Sequence, residues 1–128
     1  VDGHGNVPEI KYHYINKSGS IVKISVKNDN IPAKVADSIL QVDDTIQFWD
    51  YTFHNTHTGP FGSPDDSVEV KLIFQGPQNR CLVYSGAIDT LGDIRSEKSY
   101  YANEWIGNKV TKYFTITEDH YIKGSQCP

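Results

Sequence analysis

Residues 67–84, Ser-Val-Glu-Val-Lys-Leu-Ile-Phe-Gln-Gly-Pro-Gln-Asn-Arg-Cys-Leu-Val-Tyr, constrain the fold more than any other stretch. Val68, Val70, Leu72 and Phe74 fall on one side of a period-two pattern while Glu69 and Lys71 fall on the other, as in a strand buried on one face. Gly76 can take positive φ, and Pro77 fixes φ and has no amide donor, so the ladder stops there and resumes at Arg80 with Leu82 and Tyr84. The product is a hairpin with one apolar face, which is marginal in water by itself. Further strands and a second layer must cover it.

The rest of the chain can supply them. Ile10, Tyr12 and Tyr14 alternate with Lys11 and His13, and Val22, Ile24 and Val26 alternate with Lys23, Ser25 and Lys27. With Lys17, Ser18 and Gly19 between them, these segments read as a second hairpin, with His13 on its solvated face. Residues 33–42 show no clean period beyond a short strand at 38–40. Residues 45–52 set Ile46, Phe48 and Asp50 against Gln47, Trp49 and Tyr51, so both faces carry aromatics. Residues 85–107 read as a short helix or ordered loop over the end of the sheet, ending in Tyr100, Tyr101 and Trp105. Val110, Phe114 and Ile116 mark the last strand, with Lys112 the exception on that face. Thr117, Glu118, Asp119, Lys123 and Gly124 then describe one short turn of helix with His120 on its surface. The expected fold is an all-β, antiparallel two-sheet sandwich of about seven strands over residues 9–128. Residues 1–8, with two glycines, an asparagine and a proline, read as a flexible tether.

Charge and spacing narrow the chemistry. With 12 basic against 16 acidic side chains and a formal charge of -4, the chain lacks the basic excess of a nucleic-acid binder. Its apolar runs are too short to cross a bilayer. Cys81 and Cys127 have no metal-ligand spacing; they read as an intrachain disulfide in an oxidising compartment, against the alternative of two free thiols in a reducing one. A cysteine so close to the end of the chain has little packing reason to be there. Asp2, His4 and Asn6 alternate as in a calcium loop but lack its distal glutamate, and His54 with His57 lacks a third zinc ligand. Asn16-Lys17-Ser18 matches the N-glycosylation acceptor pattern. No cofactor is indicated.

Several segments resemble a known family. They are residues 28–46 with Pro32 and Asp37-Ser38-Ile39, Gly59-Pro60-Phe61-Gly62 followed by Pro64-Asp65-Asp66-Ser67-Val68-Glu69-Val70, Val83-Tyr84, and Tyr113-Phe114-Thr115-Ile116-Thr117-Glu118-Asp119-His120-Tyr121. In these the chain resembles small cell-envelope lipoproteins of Bacteroides-type bacteria, which carry an immunoglobulin-like sandwich and no assigned activity. The resemblance implies a lipidated cysteine preceding Val1, a tether at residues 1–8, and display in the periplasm or at the surface on the outer membrane. It implies no catalytic or binding residues.

The functional expectation is a noncatalytic envelope domain, monomeric, with a binding or structural role toward glycan or envelope protein. Flat aromatic side chains stack on sugar C–H surfaces at small entropy cost, which makes Trp49, Tyr51, Tyr101 and Trp105 the candidate ligand contacts. One alternative is an inhibitor or immunity-type protein partner. Another is a hydrolase using Asp65 and Asp66 with His54 or His57, which needs those groups within hydrogen-bond reach of one substrate.

Overall fold

The computed structural model describes residues 9–28, 35–52, 68–86 and 92–127. Within them the strands are β1 (Glu9–Lys17), β2 (Val22–Asn28), β3 (Val35–Leu40), β4 (Thr45–Thr52), β5 (Val68–Phe74), β6 (Arg80–Tyr84), β7 (Tyr101–Ala102), β8 (Lys109–Thr117) and β9 (Ser125–Gln126). One helical turn, α1 (Glu118–Lys123), and a 3-10 turn at Glu97–Ser99 complete the described elements. The strands form a four-stranded sheet ordered β4-β1-β8-β7 and a five-stranded sheet ordered β3-β2-β5-β6-β9. This is the expected all-β two-sheet sandwich. The tether expected at residues 1–8 lies outside the described residues.

The period-two patterns explain the layering. Tyr12, Tyr14, Val110, Phe114 and Ile116 from one sheet meet Val22, Ile24, Val26, Val68, Val70, Leu72 and Phe74 from the other in a single buried cluster. In the central hairpin Leu72 faces Leu82 and Val70 faces Tyr84 across β5 and β6, as the alternation requires.

Two connections differ from expectation. The chain does turn after β1, at residues 18–20 with Lys17 still in the strand, but β1 and β2 do not pair: β1 lies in the four-stranded sheet and β2 in the five-stranded one. The turn is an arch that carries the chain across the core, so both apolar faces are buried against each other instead of lying side by side. The second arch, between β3 and β4, makes the same crossing, and β3 is longer than the short strand expected at 38–40. Asn16 locks the two arches together. Its N–H donates to the Asp44 carbonyl at 2.8 Å and its carbonyl accepts from the Asp43 N–H at 2.9 Å. Its fully buried side chain donates from Nδ2 to the carbonyls of Ser20, Leu40 and Gln41 at 2.7, 3.3 and 3.1 Å. Oδ1 accepts from the Ser18 N–H and hydroxyl at 3.1 and 2.7 Å. The amide that the glycosylation pattern would modify is therefore enclosed.

The second difference is in strand direction. Six of the seven described strand pairings are antiparallel, but β1 and β8 run parallel, with Glu9 opposite Lys109 and Lys17 opposite Thr117.

The described part of residues 85–107 is mainly ordered loop, and it carries a buried ion pair. Arg95 Nη2 lies 2.7 Å from Asp93 Oδ2, with side chains 1% and 5% exposed. Burying a guanidinium is costly unless its donors are matched. Here Nε donates to Asp93 Oδ1, Nη1 to the carbonyls of Val68 and Gly86, and Nη2 to that of Ser85. Arg95 thus ties the start of β5 to the segment leaving β6. Between the pair, Ile94 is fully buried, and its carbonyl accepts from the Tyr100 hydroxyl, which in turn accepts from the Tyr14 hydroxyl at 2.8 Å.

At the C-terminal end Cys81 and Cys127 form the expected disulfide. Arg80 donates to the carbonyls of Tyr121, Ile122 and Gly124, and its guanidinium lies 5.0 Å from the Tyr121 ring centre. His120 is not the simple surface residue expected. Its Nδ1 accepts the Thr117 N–H at 2.9 Å, capping α1, and its ring lies 5.4 Å from that of Phe114. Burial, followed by the nearby Lys123, holds its pKa below the usual 6.5, with Asp119 opposing.

Candidate ligand-binding face

The outer side of the four-stranded sheet carries an aromatic row. The residues that alternate with the core on β1 and β8 put His13 opposite Tyr113, and β7 puts Tyr101 opposite Tyr113 from the other side. Tyr101 stacks on Tyr113 with ring centres 5.3 Å apart and planes 20° apart, while His13 meets Tyr113 edge-on at 5.5 Å. Tyr101 is 56% exposed. The row is therefore anchored at its centre and open at the β7 edge.

Beside it lies a groove of about 190 Å³ lined by Lys11, Asn103, Glu104, Ile106, Lys109, Val110 and Thr111. Strand geometry makes the two features continuous. Thr111 precedes Tyr113 by two residues on the same side of β8, roughly 7 Å back along the strand. Asn103 extends the β7–β8 pairing: its N–H donates to the Thr111 carbonyl and its Oδ1 accepts the Thr111 N–H, at 3.1 and 3.0 Å. The far end is closed by a two-residue turn in which Ile106 and Lys109 exchange backbone hydrogen bonds of 2.9 and 3.0 Å. Gly107, first of the two, sits at φ 62, a conformation that disfavours side-chain-bearing residues and suits the twist of a tight hairpin. The connection projects Trp105, 50% exposed, between the groove-lining Glu104 and Ile106.

The expected ligand contacts are thus distributed over two places. Tyr101 and Trp105 belong to the β7–β8 side, whereas Trp49 and Tyr51 stand on β4, the opposite edge strand of the same sheet, in register with Tyr12 and Ile10. The side chains of Trp49 and Tyr51 lie outside what the structure describes, as do His54, His57, Asp65 and Asp66 altogether. Among the described residues no group of three or more His, Cys, Asp or Glu is placed to hold a metal ion. No described helix is long and apolar enough to cross a membrane.

Sequence reasoning overlooked Tyr113, His13, Asn103, Lys11 and Lys109 as one surface. The signal was present for Tyr113 and His13, both at outward positions of strands, but their adjacency depends on the parallel β1–β8 pairing. A second polar cluster, around Asp93 and Arg95, is structural in character. Tyr84 nearby has its phenol pushed up to about 12, first by burial and then by the Asp93 carboxylate.

Comparison with protein-family models, with curated proteins and with solved structures finds no match to the chain.

Proposed function

We propose that the chain is a noncatalytic binding domain of the cell envelope that presents the outer face of its four-stranded sheet to carbohydrate. The observation that carries this reading is Tyr101, more than half exposed yet fixed face-to-face on Tyr113. A planar apolar surface already held in place loses little freedom when a sugar ring stacks on it. Trp105, which precedes the turn of the same hairpin, provides a second flat contact, and the neighbouring polar groove supplies hydrogen-bonding groups. The disulfide supports an oxidising location, in keeping with a lipid-tethered domain displayed at the envelope.

The test is a glycan array followed by calorimetry with Tyr101→Ala and Trp105→Ala, after confirming that each variant melts like the parent. Losing one stacking contact is worth about 1 kcal/mol, roughly fivefold in affinity. If neither substitution weakens binding, the aromatic face is not the ligand site. Capture of one envelope protein in place of any glycan would favour the inhibitor reading.

A further inference from the structure

Resting on the carbohydrate reading and deepening it, we infer that the site takes a saccharide chain of at least three consecutive units laid along β8, and not a single sugar. The outer side of the β7–β8 hairpin is a line of three cross-strand pairs. Tyr101 stands opposite Tyr113, Asn103 holds Thr111 through its backbone N–H and its Oδ1, and Ile106 stands opposite Lys109. Lys109, Thr111 and Tyr113 are successive outward positions of β8, alternating with the buried Val110 and Phe114, so the pairs follow one another in steps of roughly 7 Å. A local irregularity brings the third pair into the line. From Asn103 to Ile106 one strand advances three residues while the facing strand advances two, from Thr111 to Lys109. The extra residue shifts the alternation, as a β-bulge does, and sets Ile106, 76% exposed, at the outward position.

Each pair has its own use for a sugar. The tyrosines stack on one ring. The Thr111 N–H engages Asn103 Oδ1, which fixes that amide and leaves its Nδ2 to donate to a hydroxyl of the next ring. Ile106 offers an apolar contact to the C–H face of a third. A pyranose ring is no longer than one step of the line, so no single sugar reaches both the tyrosines and Ile106, which lie two steps apart. Nor does the site enclose one: the groove of about 190 Å³ falls short of the roughly 300–1,000 Å³ in which proteins surround a small ligand. Every residue from Tyr101 to Gly107 is exposed. Affinity must therefore be gathered along the line. One stacked ring offsets little of the freedom lost on association, whereas a chain already held at the tyrosines makes its later contacts at high effective concentration.

The experiment is calorimetry of the parent, Tyr101→Ala and Ile106→Ala with linear oligosaccharides of glucose, of mannose and of N-acetylglucosamine, each from one to six units. In a series that binds, each unit up to the third adds one contact worth about fivefold in affinity, so the trimer should bind about 25-fold more tightly than the single sugar. Tyr101→Ala should weaken binding at every length. Ile106→Ala should weaken chains of three or more units about fivefold, an effect confined to chains long enough to reach it. A single sugar that binds as tightly as the trimer, or an Ile106→Ala effect that is equal at all lengths or absent from all, overturns the chain inference while leaving the stacking face intact. Unchanged binding of every probe by Tyr101→Ala overturns the stacking face itself, and binding of no probe overturns both.

Discussion

Replacing Asn16 by alanine should be among the most damaging single changes in the domain, although the residue is small and polar. The substitution removes five side-chain hydrogen bonds, three that brace the β1–β2 arch internally and two, to Leu40 and Gln41, that join it to the β3–β4 arch. Each neutral bond contributes about 1 kcal/mol net, and an acceptor or donor left enclosed without a partner costs about 1–3 kcal/mol. The Leu40 carbonyl and the Ser18 N–H are in buried positions, whereas the Ser20 and Gln41 carbonyls are nearer water. The expected loss is therefore about 4 kcal/mol, a large share of the roughly 5–15 kcal/mol that holds such a domain. In urea, with a slope of about 1.5 kcal/mol/M, the midpoint should fall by about 2.7 M at unchanged slope. Asn16→Asp keeps the shape and the acceptor but loses the Nδ2 donor, so it should be no milder. Ser18→Ala, which removes only the hydroxyl contacts, should cost about 1 kcal/mol. A loss under about 1 kcal/mol for Asn16→Ala would refute the claim that this side chain locks the arches. The same enclosure predicts that protein folded in a glycosylating host carries no glycan at Asn16, as read by mass spectrometry.

Three further perturbations probe the C-terminal assembly. His120, with a pKa held below 6.5 in the fold, contributes stability that is fully present above pH 6.5 and is lost as the pH falls below it, because the unfolded chain takes up the proton first. The stability advantage of the parent over His120→Asn should accordingly shrink between pH 8 and pH 5; an advantage that stays constant or grows contradicts the assignment. Removing both cysteines as Cys81→Ala with Cys127→Ala opens a loop of sequence separation 46 and should cost on the order of 4 kcal/mol by chemical denaturation. An added Cβ at Gly124 would meet the Cys81 carbonyl oxygen at 3.1 Å and the Tyr121 carbonyl oxygen at 3.3 Å. Gly124→Ala should therefore destabilise by about 1–3 kcal/mol in the same assay, from crowding alone, since its φ of -68 suits any residue.

The core was legible because burial here follows a two-residue period with few exceptions. Val68 to Phe74 and Val22 to Val26 could be assigned to a buried face from their alternation, and both are buried. Pairing partners were not legible in the same way. A short polar turn such as Lys17-Ser18-Gly19 serves a hairpin or an arch equally well, and the distinction rests on Asn16, an inward-facing amide whose partners Leu40 and Gln41 lie far along the chain. Arg95 is similar: Asp93 is a local partner, but the carbonyls that complete its burial come from the distant Val68 and from Ser85 and Gly86. Of the candidate site, the aromatic residues Tyr101 and Trp105 were visible as residue types. Their neighbours Tyr113 and His13 were visible only as outward positions, since β1 meets β8 through a pairing that no periodicity encodes.

That pairing also governs how the protein must be made. The five-stranded sheet is built largely from consecutive segments and can begin to assemble as soon as β6 leaves the ribosome. The four-stranded sheet can form only its β1–β4 pair by then, because β1, the earliest of the described strands, waits for the much later β8 to occupy its other side. Throughout that interval a long strand bearing Ile10, Tyr12 and Tyr14 has an open edge, the state most prone to pairing with a neighbouring nascent chain. Slow elongation, or truncation before Lys109, should therefore yield aggregates in preference to a smaller folded unit.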